Sequence, residues 1–186
     1  YTEDVHLRRT RAYMCDDQRF AARRPDVLVY QTEVLAESVT VTGTITADLW
    51  VSLNTTDADF VVKLIDVFPD TLKGVENGVP LGGYQMLVRG EIMRGRYRNS
   101  FEKPQPFIPG NVTQVRFDLP DVAHTFLPGH KIMVQVQSTW FPLADRNPQQ
   151  FVDVYHAKDS DFIPAEIQVF HTPLGASSVV LPVLRK

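Results

Sequence analysis

The chain has one cysteine, Cys15, among 186 residues. No disulfide can close within it, so its fold must be held by a core rather than by covalent staples. There is no excess of positive charge either: 22 acidic residues stand against 19 basic ones, a net charge of −3. That balance offers no footprint for nucleic acid or an anionic membrane, and neither is an expected partner. No apolar run approaches the roughly 20 residues that a bilayer-spanning helix needs, and no charged-then-apolar leader opens the sequence. H-x-x-x-H, C-x-x-C and EF-hand spacings are missing, so there is no strong metal motif, and no cofactor is expected. The strained G-x-S-x-G elbow that carries an α/β-hydrolase nucleophile is absent as well.

What is present is strand patterning. Val39, Val41, Gly43, Ile45, Ala47, Leu49, Val51 and Leu53 line one face of a long strand, bent at Gly43, and Thr40, Thr42, Thr44, Thr46, Asp48, Trp50 and Ser52 line the other. Further strands are predicted over Val27 to Glu33, Phe60 to Phe68, Gln85 to Tyr97, Thr113 to Leu119, Lys131 to Ser138, Ala165 to His171 and Val179 to Leu184. Pro, Gly, Asn or Asp sits in nearly every gap. About eight strands with long connections predict an all-β, jelly-roll β-sandwich. A chain of this length makes one domain, or at most two small ones, and can bury about 70% of its unfolded surface. Residues 1–18 are polar and read as a tether from a preceding domain, with the sandwich over 19–186. Pro69 to Gly83, rich in glycine and proline, should be a surface loop.

Two segments ask to be covered. Phe60 to Phe68 is apolar on both faces except for Lys63 and Asp66, as in a central strand buried on both sides. Trp50, alone on a threonine face, has the same need. A third segment, Gly129 to Pro148, runs from the alternation of Ile132, Val134 and Val136 into Trp140-Phe141-Pro142 and the charged turn Asp145-Arg146-Asn147-Pro148. Such a loop is costly to leave in water and should lie against the domain's own sheet or a neighbouring surface.

This segment, together with DQRFAARRPDVLVYQTEVL (Asp17 to Leu35), DADFVVKLIDVFPD (Asp57 to Asp70), GEIMRGRYRNSFEKP (Gly90 to Pro104) and HTFLPGHKIMVQVQS (His124 to Ser138), resembles the C-terminal domain of one serine hydrolase family. The family is that of X-Pro dipeptidyl-peptidase, cocaine esterase and α-amino acid ester hydrolase. The DQRF and SxWFPLxDRNPQ forms are most similar to its α-amino acid ester hydrolase and cephalosporin-acylase branch. The resemblance implies a galactose-binding-like jelly roll that is itself non-catalytic. It follows an α/β-hydrolase domain of the same polypeptide, which holds the nucleophile, acid and histidine. It also implies a bacterial source, with a periplasmic or secreted location, and allows a homo-oligomer. The start at Tyr1 rather than Met fits a piece of a longer polypeptide.

Candidate cleft or interface residues are Tyr30, Trp50, Trp140, Phe141, Asp145, Arg146 and Asn147. Asp145-Arg146-Asn147 reads as a loop clamp, with Arg146 held by Asp145 or by backbone carbonyls, or else as the rim of a cleft between domains. Arg94, Arg96 and Arg98 fall on one strand face and read as ion-pairing groups within the sandwich or to a neighbour. Asp57 and Asp59, with Asp66 and Asp70, read as a turn and strand end, with calcium at the sandwich rim as the alternative. His124 and His130 read as structural hydrogen bonders, with a ligand or catalytic role as the alternative. A competing function is a carbohydrate-binding module, in which Trp50, Trp140 and Phe141 would form an exposed, coplanar row.

Overall fold

The computed structural model describes residues 16–76, 78–173 and 175–185. A short helix, α1 (Arg19–Ala22), precedes β1 (Val27–Gln31), β2 (Val39–Leu53) and β3 (Asp59–Val67). A small hairpin, β4 (Val75–Glu76) and β5 (Val79–Pro80), leads to β6 (Gln85–Arg94), β7 (Thr113–Phe126) and β8 (Lys131–Gln137). Then come β9 (Ile167–Val169), a second hairpin of β10 (His171–Thr172) and β11 (Gly175–Ala176), and β12 (Ser178–Val180).

These strands form the expected all-β sandwich. One antiparallel sheet has the order β1-β8-β3-β6; the other has the order β12-β2-β7, with β9 also paired to β2. The hydrophobic stripe of β2 does as its period dictates: Val41, Ile45, Ala47, Leu49, Val51 and Leu53 are buried between the sheets. Phe117, Leu119 and Phe126 of β7 and Phe60, Val62 and Leu64 of β3 complete that core. Strand β7 continues past the predicted end at Leu119 through a bulge, where Gly43 and Ile45 face Val122 and Leu119. Pro120 is tolerated there because β7 is an edge strand, where a missing N–H leaves no partner unbonded.

Residues 59–66 of β3 are all buried, so both faces are covered as the sequence requires. The outer face carries Lys63, whose Nζ donates to Gln18 Oε1 at 2.9 Å and lies 4.8 Å from the centre of the Trp140 ring. Asp17 and Gln18 are 5% and 0% exposed, Asp17 bridging to Met86 and the Gln18 amide bonding the Gln85 carbonyl. Of the tether expected over 1–18, residues 1–15 lie outside the described residues, while Asp17 and Gln18 are packed into the sandwich. Trp50 finds its cover in the returning C-terminal segment: Gly175 lies against the ring, and the Ser177 hydroxyl accepts from the Trp50 amide.

Two glycines mark close approaches that hold this arrangement together. A Cβ on Gly90 would come within 2.6 Å of the Trp140 ring, and one on Gly95 within 2.6 Å of both the Ala58 carbonyl oxygen and the Phe107 ring. Overpacking of this kind costs about 1–3 kcal/mol. Gly95→Ala is expected to be the more damaging change, because a backbone carbonyl cannot step aside whereas the loop that carries Trp140 can. Urea denaturation midpoints of the two variants check this, and a larger loss for Gly90→Ala would contradict it.

Candidate functional site

Strands β2, β6 and β8 end, and β3, β7 and β9 begin, at the same end of the sandwich, so residues 54–58, 95–112 and 138–166 meet there. Strand β6 stops at Arg94 instead of running on to Tyr97. The Gly95 amide bonds the Ala58 carbonyl at 2.8 Å, and a 3-10 turn over Gly95–Tyr97 follows. The three arginines are therefore not on one strand face. The turn aims Arg96 into the protein, where it is 7% exposed.

There Arg96 meets Asp57, which is 0% exposed. Its Nε donates to Asp57 Oδ2 at 2.7 Å, Nη2 lies 2.6 Å from the same oxygen, and Nη1 donates to the Val152 carbonyl at 2.7 Å. The Phe151 ring packs 4.8 Å from the guanidinium carbon. Asn147 joins the pair from the opposite loop, its Nδ2 donating to Asp57 Oδ2 at 3.1 Å and to Asp59 Oδ1 at 2.7 Å. Arg94 completes the group, 3.3 Å from Asp59 Oδ1 and 3.3 Å from the Asp145 carbonyl. Two carboxylates thus face two guanidinium groups, with an asparagine between them. Burial pushes the Asp59 carboxyl above its ordinary value of 3.8, against the pull of Asn147 and Arg94, and Asp57 pushes it the same way.

Above this buried group the 138–163 loop divides its side chains. Trp140, 6% exposed, turns inward onto Lys63 and Gly90, whereas Phe141 and Leu143 are 54% and 57% exposed. Phe151, Tyr155 and Ile163 add further exposed apolar surface. The clamp expected of Asp145-Arg146-Asn147, with Arg146 held by Asp145 or by backbone carbonyls, does not form; instead Asn147 is the buried fastener and Asp145 contributes its backbone carbonyl. Arg146 is exposed and stacks its guanidinium 4.9 Å from the Phe162 ring centre and 5.8 Å from that of Phe141.

Tyr30 and Trp50 lie elsewhere. Tyr30, on edge strand β1, hydrogen-bonds His171 Nε2 through its hydroxyl at 2.9 Å, and burial pushes that hydroxyl's pKa up. Trp50 is half-buried beneath residues 175–177 and Trp140 is buried, so the tryptophans and Phe141 form no exposed row for a sugar. The four aspartates do not converge on a cation either: Asp57 and Asp59 serve the arginines, and Asp66 accepts from both His124 Nε2 (2.9 Å) and His130 Nδ1 (2.7 Å). No group of three or more His, Cys, Asp or Glu side chains placed to hold a metal occurs among the described residues.

Comparison with known proteins agrees with this architecture. Residues 7–179 match the profile of the X-Pro dipeptidyl-peptidase C-terminal non-catalytic domain. The chain belongs to that family. Cocaine esterase from Rhodococcus sp. (strain MB1 Bresler) is 37% identical over 170 residues, covering 91% of this chain and 28% of the esterase. Among solved structures, an aminopeptidase from a marine sediment Thaumarchaeota archaeon aligns with a TM-score of 0.86 at 44% identity, over 99% of this chain and 30% of that one. An α-amino acid ester hydrolase aligns with a TM-score of 0.86 at 43% identity, over 92% of this chain and 28% of the hydrolase. The chain thus spans less than a third of the length of these relatives, and it corresponds to their C-terminal, non-catalytic portion.

In this family member the buried charge group can be tested directly. Asp57→Asn leaves Arg96 buried without a counter-charge, which is expected to cost about 3–5 kcal/mol. Asp59→Asn should cost less, because its oxygen still accepts from Asn147 and Arg94 is partly solvated. Folding raises the Asp59 pKa, so its contribution is fully present below the unfolded value near 3.8 and is lost as pH rises through the higher folded value. Wild-type stability relative to Asp59→Asn is therefore expected to rise on acidification through that window. Chemical denaturation of both proteins across the acid range would show it, and a pH-independent difference would rule it out.

Proposed function

We infer that this domain packs through the loop end of its sandwich against an α/β-hydrolase-type serine hydrolase domain of the same polypeptide, buttressing it and walling its substrate cleft. The observation that carries the reading is the 138–163 loop. Phe141, Leu143, Phe151, Tyr155 and Ile163 expose apolar surface on a segment fastened from beneath by Asn147, Arg94 and Arg96. Exposed apolar surface on a rigid support is what an interdomain contact needs, since little ordering remains to be done on docking. The relatives' extra length supplies room for such a partner.

The reaction served would be acyl transfer from a peptide, amide or ester. A serine of the partner domain attacks the carbonyl, a histidine moves the proton, and an oxyanion hole holds the developing charge. This chain, without G-x-S-x-G, contributes shape and rigidity. The charge group at the loop end is paired internally and is assigned no chemical step.

The chain alone is expected to turn over neither ester nor X-Pro amide substrates. Serine-dependent hydrolysis by the purified chain would refute the non-catalytic assignment. Phe141→Ala combined with Leu143→Ala in the complete polypeptide should weaken docking by more than about 1 kcal/mol per side chain. The same pair should change the stability of the chain alone by less than about 0.5 kcal/mol for each exposed site. Limited proteolysis of the interdomain contact and thermal melts of the chain measure the two effects. Light scattering that finds the free chain strictly monomeric at high concentration would argue against an uncovered apolar end.

A further inference from the structure

We propose that Arg146 is the polar anchor of this docking face and that it receives a carboxylate from the surface of the hydrolase domain. The proposal rests on the interdomain reading above and names the chemistry the partner must present. Arg146 is exposed, and its guanidinium carbon lies 4.9 Å and 5.8 Å from the centres of the Phe162 and Phe141 rings. Stacking of this kind uses the face of the guanidinium and leaves its N–H edge for a planar, bidentate acceptor.

The position of that edge is fixed from both sides. Immediately before it, the Asp145 carbonyl accepts from Arg94 Nη2 at 3.3 Å; immediately after it, Asn147 is bound to Asp57 and Asp59. Phe141 is set by the turn in which the Leu143 and Ala144 amides both bond the Trp140 carbonyl, and the Ile163 amide ties the Phe162 side to the Pro148 carbonyl. Arg146 is therefore pre-organised, unlike a surface arginine free to swing.

No carboxylate among the described residues pairs with it. Asp59 is held by Arg94 and Asp161 by the Lys158 amide, and Asp145, which precedes it in the chain, bonds Arg94 through its backbone carbonyl and makes no ion pair with Arg146. Phe141, Leu143 and Ile163 expose apolar surface on the same loop. Covering that surface with another domain would strip water from the Arg146 charge, and a desolvated guanidinium left unpaired is strongly unfavourable. A docked face thus requires an acidic side chain opposite, and stacked arginines in such settings are typical binding hot spots.

The test is hydrogen exchange on the complete polypeptide that carries this chain, reading the amides of residues 138–163. Arg146→Ala is expected to lower their protection by about 30-fold, the loss typical of a central hot spot. Arg146→Glu should lower it further, and Arg146→Lys should recover less than half of the effect because it lacks the planar fork. Amides of the buried strands β2 and β3, unchanged in the same samples, report that the sandwich remains folded. If the wild-type loop is no better protected in the complete polypeptide than in this chain alone, the interdomain reading itself is wrong. If the loop is protected but Arg146→Ala leaves it so, that reading stands and the carboxylate contact is refuted. If Arg146→Glu costs no more than Arg146→Ala, the arginine acts by packing and not by charge, which also refutes the proposal.

Discussion

Arg96 carries its charge into a place where it is 7% exposed, and the loop end of the sandwich is arranged around that fact. Its guanidinium bonds Asp57 of the β2–β3 turn and the Val152 carbonyl of the long loop, while the residue itself belongs to the turn after β6. Three connections with few ladder hydrogen bonds of their own are thereby fixed to one another. Isolated buried ion pairs are poor sources of net stability, since well-packed apolar residues of similar volume often do as well. Apolar residues could not, however, bond a loop carbonyl or hold the Asn147 amide, and so could not set the register of the loop. The charges are better understood as a fastening than as a source of free energy.

The two sheets meet solvent differently, and this supports the end of the sandwich, rather than a face, as the proposed docking surface. The outer face of the β2–β7 sheet is a polar ladder in which Thr44, Thr46 and Gln114 donate to Asp121, Asp118 and Asp48. These polar side chains are paired across the strands. The outer face of the β1-β8-β3-β6 sheet is covered by the chain itself, through Gln18, Trp140 and the buried Lys63. The loop end, by contrast, gathers exposed Phe141, Leu143, Phe151, Tyr155 and Ile163 on one segment.

The legible parts of the sequence were those governed by period two. The stripe of β2 runs over Val39–Leu53 as its alternation requires, and the doubly apolar β3 is buried on both faces. Where a local device interrupts the period, the pattern misleads: the bulge opposite Gly43 carries β7 past Pro120, and the contact of Gly95 with the Ala58 carbonyl turns Arg96 out of strand geometry. The packing of Asp17 and Gln18 was hidden for another reason, since a polar segment shows no hydrophobic stripe. Asp57, Asp59, Arg94, Arg96 and Asn147 were each conspicuous, but they belong to three separate blocks, and only the topology of the sandwich brings those blocks to one end. Asn147 lies 90 and 88 residues from its two aspartate partners, a distance over which spacing carries no information.

The exchange of roles within Asp145-Arg146-Asn147 follows from the same long-range constraint. A neighbouring Asp and Arg in an isolated loop would pair with each other, since nothing else is within reach. Here Asn147 is pulled under the loop by two buried carboxylates, while Arg146 before it stays exposed. Arg146 is thereby turned outward onto the Phe141 and Phe162 rings, and the Asp145 carbonyl is left facing Arg94. Asp57 and Asp59 are taken up by Arg96 and Arg94 below the loop, and Arg146 above it has no ion pair among the described residues. A cation with no counter-charge, held on exposed aromatic rings, gains little there beyond the ring contacts, and the proposed carboxylate opposite gives its position a reason.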